Sequence, residues 1–522
     1  MSNSHKDSYG QIVKSTALIG GTQVLNILIG VVRVKILALF LGPVGIGLAG
    51  MYQAATAMIG TLTGLGIGPA GVRQIAEAAA SGDERRMART VALLRRAAWI
   101  SGLLGMALVL ILAKPLTVAT FGNDHYTGGV ALVSLTLLFG GISAGQTALL
   151  QGLRKLKELA ACNLLGSLFG TVASIALVYF LRDRGVAPFL VAVAGFGILT
   201  SWWYARKVDF PNTRLPWRET FQEARPLLGM GASFLALGLL ASGVAYAVRI
   251  LVIHELGMHA IGLYTAASNI SLLYVGIIIN AMGADFYPRL TSVADDHAAV
   301  NRLVNQQAEM GVLMALPGLL VTLLLAPWVM RIFYSGEFVA AAGLIRWQIL
   351  GMGLRVACWP LSYILLAKGL GKTMVLLETV SAAMEIAIIA LFLHLWGLEG
   401  CGSGLLLFMA LATICMSVVG HKITGFTWSR ESKNVLLTSI GFTAFLLLAM
   451  RLAPSPLGLV MGGALTAAAS LWCLSHLNRA LGSNILTILR GRFFARAKAE
   501  SGFLPPLPQE TSTHASRSGK SI

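Results

Sequence analysis

The chain has 522 residues, of which 56% are hydrophobic and only 12% charged, where a soluble globular domain carries roughly 25% charge. No soluble core absorbs that much apolar surface, so the composition excludes an ordinary globular enzyme and points to the membrane. The net charge of +18 leaves nucleic acid open as a partner only until the basic residues are placed along the chain.

The first ten residues are polar and precede an apolar stretch without a small-residue cleavage site, so the first span is expected to remain as an anchor. Apolar blocks of about 20 residues, the length that crosses a hydrocarbon layer, follow near Ser15–Leu41, Leu48–Gly68, Val91–Ala113, Ala131–Leu150, Ala160–Leu181 and Ala187–Tyr204. A second set lies near Leu227–Val252, Leu263–Ala284, Gly311–Ile332, Leu344–Ala367, Met374–Trp396 and Gly402–Val419, and two more near Val435–Arg451 and Leu457–Leu477. The expected fold is an all-α integral membrane protein of about 14 transmembrane helices. It divides into a cytoplasmic segment (1–14), a six-helix lobe (15–225), a second six-helix lobe (226–432), two additional helices (433–479) and a basic, partly disordered tail (480–522).

Most of the 40 Lys and Arg residues fall in the N-terminus, in alternate loops and in the tail. Examples are Arg85, Arg86 and Arg89; Arg154, Lys155 and Lys157; and Arg206, Lys207, Arg214 and Arg218. Because basic residues accumulate on the cytoplasmic side, both termini are expected there. Topology then accounts for the positive charge, and nucleic-acid binding is not expected. The tail from Ile488, with Phe493 and Phe494 among Arg492 and Arg496, reads either as a short interfacial helix on anionic headgroups or as a disordered topology signal. The five cysteines lie singly in or beside apolar segments, without the paired spacing of a zinc site, and are expected to be free thiols.

An internal repeat emerges on comparing the halves. Leu41, Gly42, Ile46, Gly47 and Leu48 match Leu256, Gly257, Ile261, Gly262 and Leu263 at a constant offset of 215, and Arg33 aligns with Arg249 within one residue. Six spans separate the copies, so the repeats are parallel, and such bundles bind substrate between them and rock to alternate access. The outer loops are too short to hold the catalytic groups that a membrane-bound polysaccharide polymerase or ligase needs, so carriage is expected rather than catalysis.

Charges inside spans are costly and are functional candidates. The cations are Arg33, Lys35, Arg249 and Arg355, and the anions are Glu378 and Glu385, with Asp285 at an inner end. If Arg33 and Arg249 occupy equivalent places, both point into a central cavity and form an anion site, since guanidinium donates two parallel hydrogen bonds to phosphate oxygens. The bland alternative for Arg33, Lys35 and Arg249 is snorkelling to headgroups; for Arg355 it is an ion pair with a glutamate. Glu385, with Glu378 on the same face, could bind H⁺ or Na⁺ and couple transport to a gradient. His254 and His259 beside Glu255 read as solvated rather than as a relay. Gly64, Gly68 and Gly71 have helix-contact spacing. Ala367–Thr373 ends like a P-loop, but Leu366 stands where its first glycine is required, so no ATPase is expected.

The duplicated halves, extra C-terminal pair and intramembrane cations resemble the superfamily of multidrug, oligosaccharidyl-lipid and polysaccharide (MOP) exporters. The stretch Ser15–Gln53 followed by Gly71–Asp83 resembles the Wzx-type O-antigen translocases within it. The resemblance covers about the first hundred residues and is architectural elsewhere; the additional pair departs from the twelve spans of many Wzx-type members. It implies a flippase in the bacterial inner membrane that moves an undecaprenyl-pyrophosphate-linked oligosaccharide outward, with Arg33, Arg249, Lys35 and Arg355 on the pyrophosphate. Gln23, Asn26, Gln53, Asn269 and Asn280 would meet sugar hydroxyls. No cofactor is implied beyond a coupling ion; polysaccharide polymerase and chain-length machinery are implied as partners, with membrane lipids around it. The rival within the same fold, a drug or cation antiporter, should favour acidic and aromatic cavity residues.

Overall fold

The computed structural model describes residues 2–64, 66–208, 217–452 and 455–481. The basic tail expected to begin near Ile488, and Arg214 in the loop before the seventh span, lie outside the described residues. The described residues form thirteen α-helices and two short 3₁₀ turns, without strands.

Ten helical segments are long and apolar enough to cross a membrane. Four of them, Gly20–Gly64, Leu156–Ala205, Leu235–Gly283 and Gly371–Thr424, run 45 to 54 residues, about twice the length that one crossing needs. Three of the four break at a glycine: α1 (Ser2–Gly64) at Gly42, α7 (Trp217–Ser292) at Gly257 and α11 (Gly371–Thr424) at Gly397. Each of these glycines has φ between 60° and 81° with an extended ψ, a conformation that a Cβ makes costly. The fourth turns through a 3₁₀ segment, Arg182–Gly185, between α5 (Leu156–Leu181) and α6 (Val186–Ala205). All four breaks fall where the sequence places a boundary between two spans.

Helices α1, α2 (Ile67–Ala80), α3 (Glu84–Phe121), α4 (Thr127–Gly152), α5 and α6 pack on one another. A second group comprises α7, α8 (His297–Leu324), α9 (Ala326–Phe333), α10 (Ala342–Ala367) and α11. The last two helices, α12 (Arg430–Leu452) and α13 (Ser455–Leu481), pack on α8. Large apolar side chains such as Ile111, Phe180 and Leu452 are more than 70% exposed, which a protein tolerates only where lipid covers the surface.

The repeat becomes a contact. Gly47 and Gly262, equivalent under the 215-residue offset, lie against each other: a Cβ on Gly47 would stand 2.8 Å from the Gly262 nitrogen, and one on Gly262 would run into the Pro43 carbonyl. Gly50 likewise meets Thr265, its own counterpart. Residues that touch their own mates mark a two-fold axis, so the two helical groups are related by a pseudo-dyad through this glycine crossing. The face that carries the three glycine breaks is called the kink face below.

The run Gly64–Gly71 corrects its expected packing role. A Cβ on Gly64 or Gly68 would meet nothing within 4 Å, whereas one on Gly71 would stand 2.6 Å from Leu94; Gly66, with φ 69°, caps the start of α2. Of the three, Gly71 is the one in close helix contact.

Candidate functional site

Beyond the glycine crossing the two second arms, 46–64 of α1 and 261–283 of α7, border a cavity of about 1010 Å³. The first arm of α1 contributes Ile27, Gly30, Val31, Arg33, Val34 and Leu37, and its second arm contributes Ile46, Ala49, Gly50, Gln53, Thr56, Ala57, Gly60 and Thr61. Both sets recur every three to four residues, so each is one face of a helix. The opposite face of the second arm, with Met51, Tyr52, Ala55 and Ile59, is buried. Thr265, Asn269, Ile270, Leu272 and Leu273 of α7, with residues of α4 and α6, complete the walls, and Phe333 and Tyr334 at the end of α9 also line the cavity.

Among the described residues, Arg33, half buried, is the single charged residue on this wall, and no carboxylate lines it. Gln53 and Asn269 are exposed to the cavity. The Thr56 and Thr61 hydroxyls donate to the Tyr52 and Ala57 carbonyls at 2.8 Å, which leaves their oxygen lone pairs to face the cavity. The result is a mainly apolar chamber with one fixed positive charge and a few neutral polar groups, suited to a ligand with an anionic group and hydroxyls.

The remaining sequence candidates go elsewhere. Arg249 does not line the cavity: its Nη1 donates to the Ala245 carbonyl at 2.7 Å, its guanidinium lies 5.8 Å from the Tyr264 ring centre, and its Nε is buried without a partner. At the constant offset Arg249 matches Val34, which lines the cavity beside Arg33, so register alone does not account for the difference; Arg249 is instead engaged by Ala245 and Tyr264. The expected meeting of Arg33 and Arg249 in one chamber is not seen, and among the described residues Arg33 is the charged residue on the wall.

Lys35 donates from Nζ to the Arg331 carbonyl at 2.6 Å, in the last turn of α9. The carbonyls there lack intrahelical partners, so the lysine clasps the two helical groups together at the kink face. On the other side of the pseudo-dyad, His254 Nε2 lies 3.1 Å from the Ala119 carbonyl near the end of α3, and Tyr246 bonds Thr120. Arg355 on α10 is within electrostatic reach of Glu378 and Glu385 on α11, an arrangement internal to the second helical group. Gln23, Asn26 and Asn280 lie off the cavity wall, and the Asn26 side-chain oxygen is buried without a partner. Asp285 pairs with Arg289 at 3.1 Å. All five cysteines are free, and only Cys415 is exposed.

The family model described as "Polysaccharide biosynthesis protein" matches residues 36–342, which is more than half of the chain. The chain belongs to this family. It is 25% identical over 402 residues, 73% of its own length and 91% of the relative's, to the protein of Escherichia coli (strain K12) named "Lipid III flippase", and equally to the protein of that name from Shigella flexneri. Among solved structures it resembles the inward-facing conformation of a multidrug resistance MATE transporter of the MOP superfamily, with TM-score 0.64 and 17% identity over 77% of this chain and 95% of that one. It also resembles the lipid II flippase MurJ in an inward closed conformation, with TM-score 0.63 and 13% identity over 90% and 99% of the two chains. The fold is that of these solved transporters, and this family member is an all-α, multi-pass membrane protein.

Sequence reasoning weighted charges and amides and passed over Thr56, Thr61, Thr265 and Tyr334. The signal for the threonines was present: a stripe of small and polar residues every three to four positions along the second span of each half. Tyr334 carried none, because a break after α8 turns it inward.

Proposed function

We propose that this family member is a flippase that carries an undecaprenyl-pyrophosphate-linked oligosaccharide, an O-antigen or exopolysaccharide repeat unit, from the cytoplasmic to the periplasmic leaflet by alternating access. The observation that carries this reading is a cavity between the two helical groups whose one charged wall residue, among the described residues, is Arg33. Arg33 holds the pyrophosphate, Gln53 and Asn269 meet sugar hydroxyls, and the lipid tail stays in the bilayer. The similarity to a protein named as a lipid III flippase supports the cargo class. A drug or cation antiporter should favour acidic cavity residues, and among the described residues none lines this cavity, which disfavours that rival.

In this reading the chain makes fourteen crossings, two in each double-length segment, and the lobes are 15–225 and 226–432. The kink face is periplasmic and both termini are cytoplasmic, in line with the basic residues of the alternate loops. Glu385, with Glu378 and Arg355, forms the ion-coupling group in the second lobe, and Arg249 with Tyr264 belongs to that lobe's interior rather than to the cargo. Polymerase and chain-length machinery receive the cargo.

The test is transbilayer movement of a fluorescent lipid-linked oligosaccharide in reconstituted vesicles. Arg33→Ala is expected to slow it at least about tenfold, the effect of losing one charge-assisted hydrogen bond, while Arg33→Lys retains part of the rate. Full activity of Arg33→Ala would falsify the site assignment, and export of a cationic drug with no movement of the lipid would favour the antiporter.

A further inference from the structure

The offset of 215 residues that relates the glycine kinks also relates the ends of α6 and α11. Leu199, Trp203, Arg206 and Lys207 correspond to Ile414, Val418, His421 and Lys422. Exposure follows the same correspondence: Leu199 and Ile414 are 57% and 62% exposed, and Trp203 and Val418 are 49% and 50%. Both helices therefore turn the same apolar flank to the hydrocarbon, and both end in two basic side chains. From Gly397 to His421, α11 is unbroken over roughly 24 residues, about 36 Å at 1.5 Å per residue. A hydrocarbon layer is about 30 Å thick, so His421 and Lys422 stand at headgroup level, opposite the kinks.

What stands beside the charge differs between the two ends. On α6 the Arg206 guanidinium lies 4.7 Å and 3.8 Å from the ring centres of Trp202 and Trp203, and Lys207 Nζ lies 4.9 Å from that of Tyr204. Those rings fill the space beside the cations and attract them. On α11 the matching positions are Ser417, Val418 and Val419, and a cavity of about 410 Å³ opens there, bordered by Ile414, Ser417, Val418, His421, Lys422 and Trp428. Among the described residues no carboxylate lines it, and the exposed Lys422 makes no ion pair or hydrogen bond. The walls are fixed. Trp428 Nε1 donates to Ser417 Oγ at 3.1 Å, and His421 Nδ1 lies 3.1 Å from the Phe426 carbonyl. Asn301 and Asn305 of α8 donate to the Thr424 and Thr427 carbonyls at 2.9 Å and 3.0 Å, which pins the turn that carries Trp428. We propose that this cavity binds an anionic phospholipid of the surrounding bilayer, with its phosphate on Lys422 and one acyl chain along Val418 and Ile414. A cation at headgroup depth that continues directly into an outward apolar flank complements a molecule charged at one end and aliphatic at the other. The first half answers its terminal cations with its own rings, and the second takes a lipid.

The inference rests on a bilayer around the helices and not on the cargo or on Arg33. The full chain is purified in mild detergent, phosphatidylglycerol or phosphatidylcholine is added, and bound lipids are counted by native mass spectrometry. The wild type is expected to retain one more phosphatidylglycerol than Val418→Trp, which sets an indole where α6 has Trp203, while phosphatidylcholine is retained equally by both. Lys422→Ala weakens phosphatidylglycerol binding about fivefold, the effect of one lysine beside an anionic headgroup, and Lys422→Arg keeps most of it. A fluorescence melt without added lipid is the folding control; if Val418→Trp melts early, the exposed Lys422 variants decide alone. Inorganic phosphate, which has no acyl chain, is expected not to displace the lipid. Equal retention of phosphatidylglycerol by the wild type and Lys422→Ala, equal affinity of the wild type for the two lipids, or displacement by inorganic phosphate overturns the lipid site and leaves the cargo assignment standing.

Discussion

The two helical groups share a repeat and spend their charges differently. In the first, Arg33 stands on the cavity wall, and among the described residues no carboxylate lines it. In the second, Arg249 turns to Tyr264, and Arg355 lies within electrostatic reach of Glu378 and Glu385. Duplication supplied two copies of a backbone, but contacts with Ala245 and Tyr264 engage Arg249 while Arg33 lies on the cavity wall. The first half therefore offers charge to a ligand, and the second holds its charge in reserve.

The harshest way to break this comparison is to block the point where the halves meet. Gly262→Leu would drive a side chain into the Pro43 carbonyl, a backbone that cannot yield as a flexible side chain does, and overpacking of this kind costs about 1–3 kcal/mol or more. The expected result is a membrane-inserted protein with no transport and markedly lower thermal stability in detergent, read by a fluorescence melt; Gly64→Leu, which has open space around it, should leave both near wild type. A smaller effect sharpens the division of labour. Glu385→Gln is expected to remove the stimulation of transport by an ion gradient while leaving the apparent affinity for cargo unchanged, whereas Arg33→Ala lowers affinity at any gradient; the pair is resolved by transport assays over a range of cargo concentrations with and without an ionophore. Loss of cargo affinity in Glu385→Gln would erase the distinction.

The smallest change concerns the kink face. Lys35→Ala removes one hydrogen bond to the Arg331 carbonyl, about 1 kcal/mol, and is expected to shift the balance of conformations about fivefold toward opening at that face. Accessibility of a cysteine placed at Tyr334, which is 2% exposed with the face closed, to a membrane-impermeant maleimide reports the shift; unchanged labelling would mean that the glycine crossing alone holds the gate.

Span positions were legible because hydrocarbon admits only helices with their backbone hydrogen bonds closed, so apolar length suffices to find them. The repeat was legible too, through Gly42 and Gly257, since a left-handed φ leaves little choice but glycine. The cavity was legible only in part. Arg33, Gln53 and Asn269 were found by their chemistry, but Lys35 and Arg249 were assigned to the same place because distance along a span says nothing of the direction around it. Tyr334 was missed because its position depends on the break between α8 and α9.

By itself, the sequence determined that this is a duplicated bundle of membrane-spanning helices, broken at particular glycines and carrying rare charges within the hydrocarbon. Those properties follow from the solvent and from local backbone sterics, which act residue by residue. Only the tertiary structure decided which charges share a wall, which clasp a neighbouring helix end and which pair within their own lobe. A rotation of 100° per residue makes that outcome depend on packing between helices far apart in the chain.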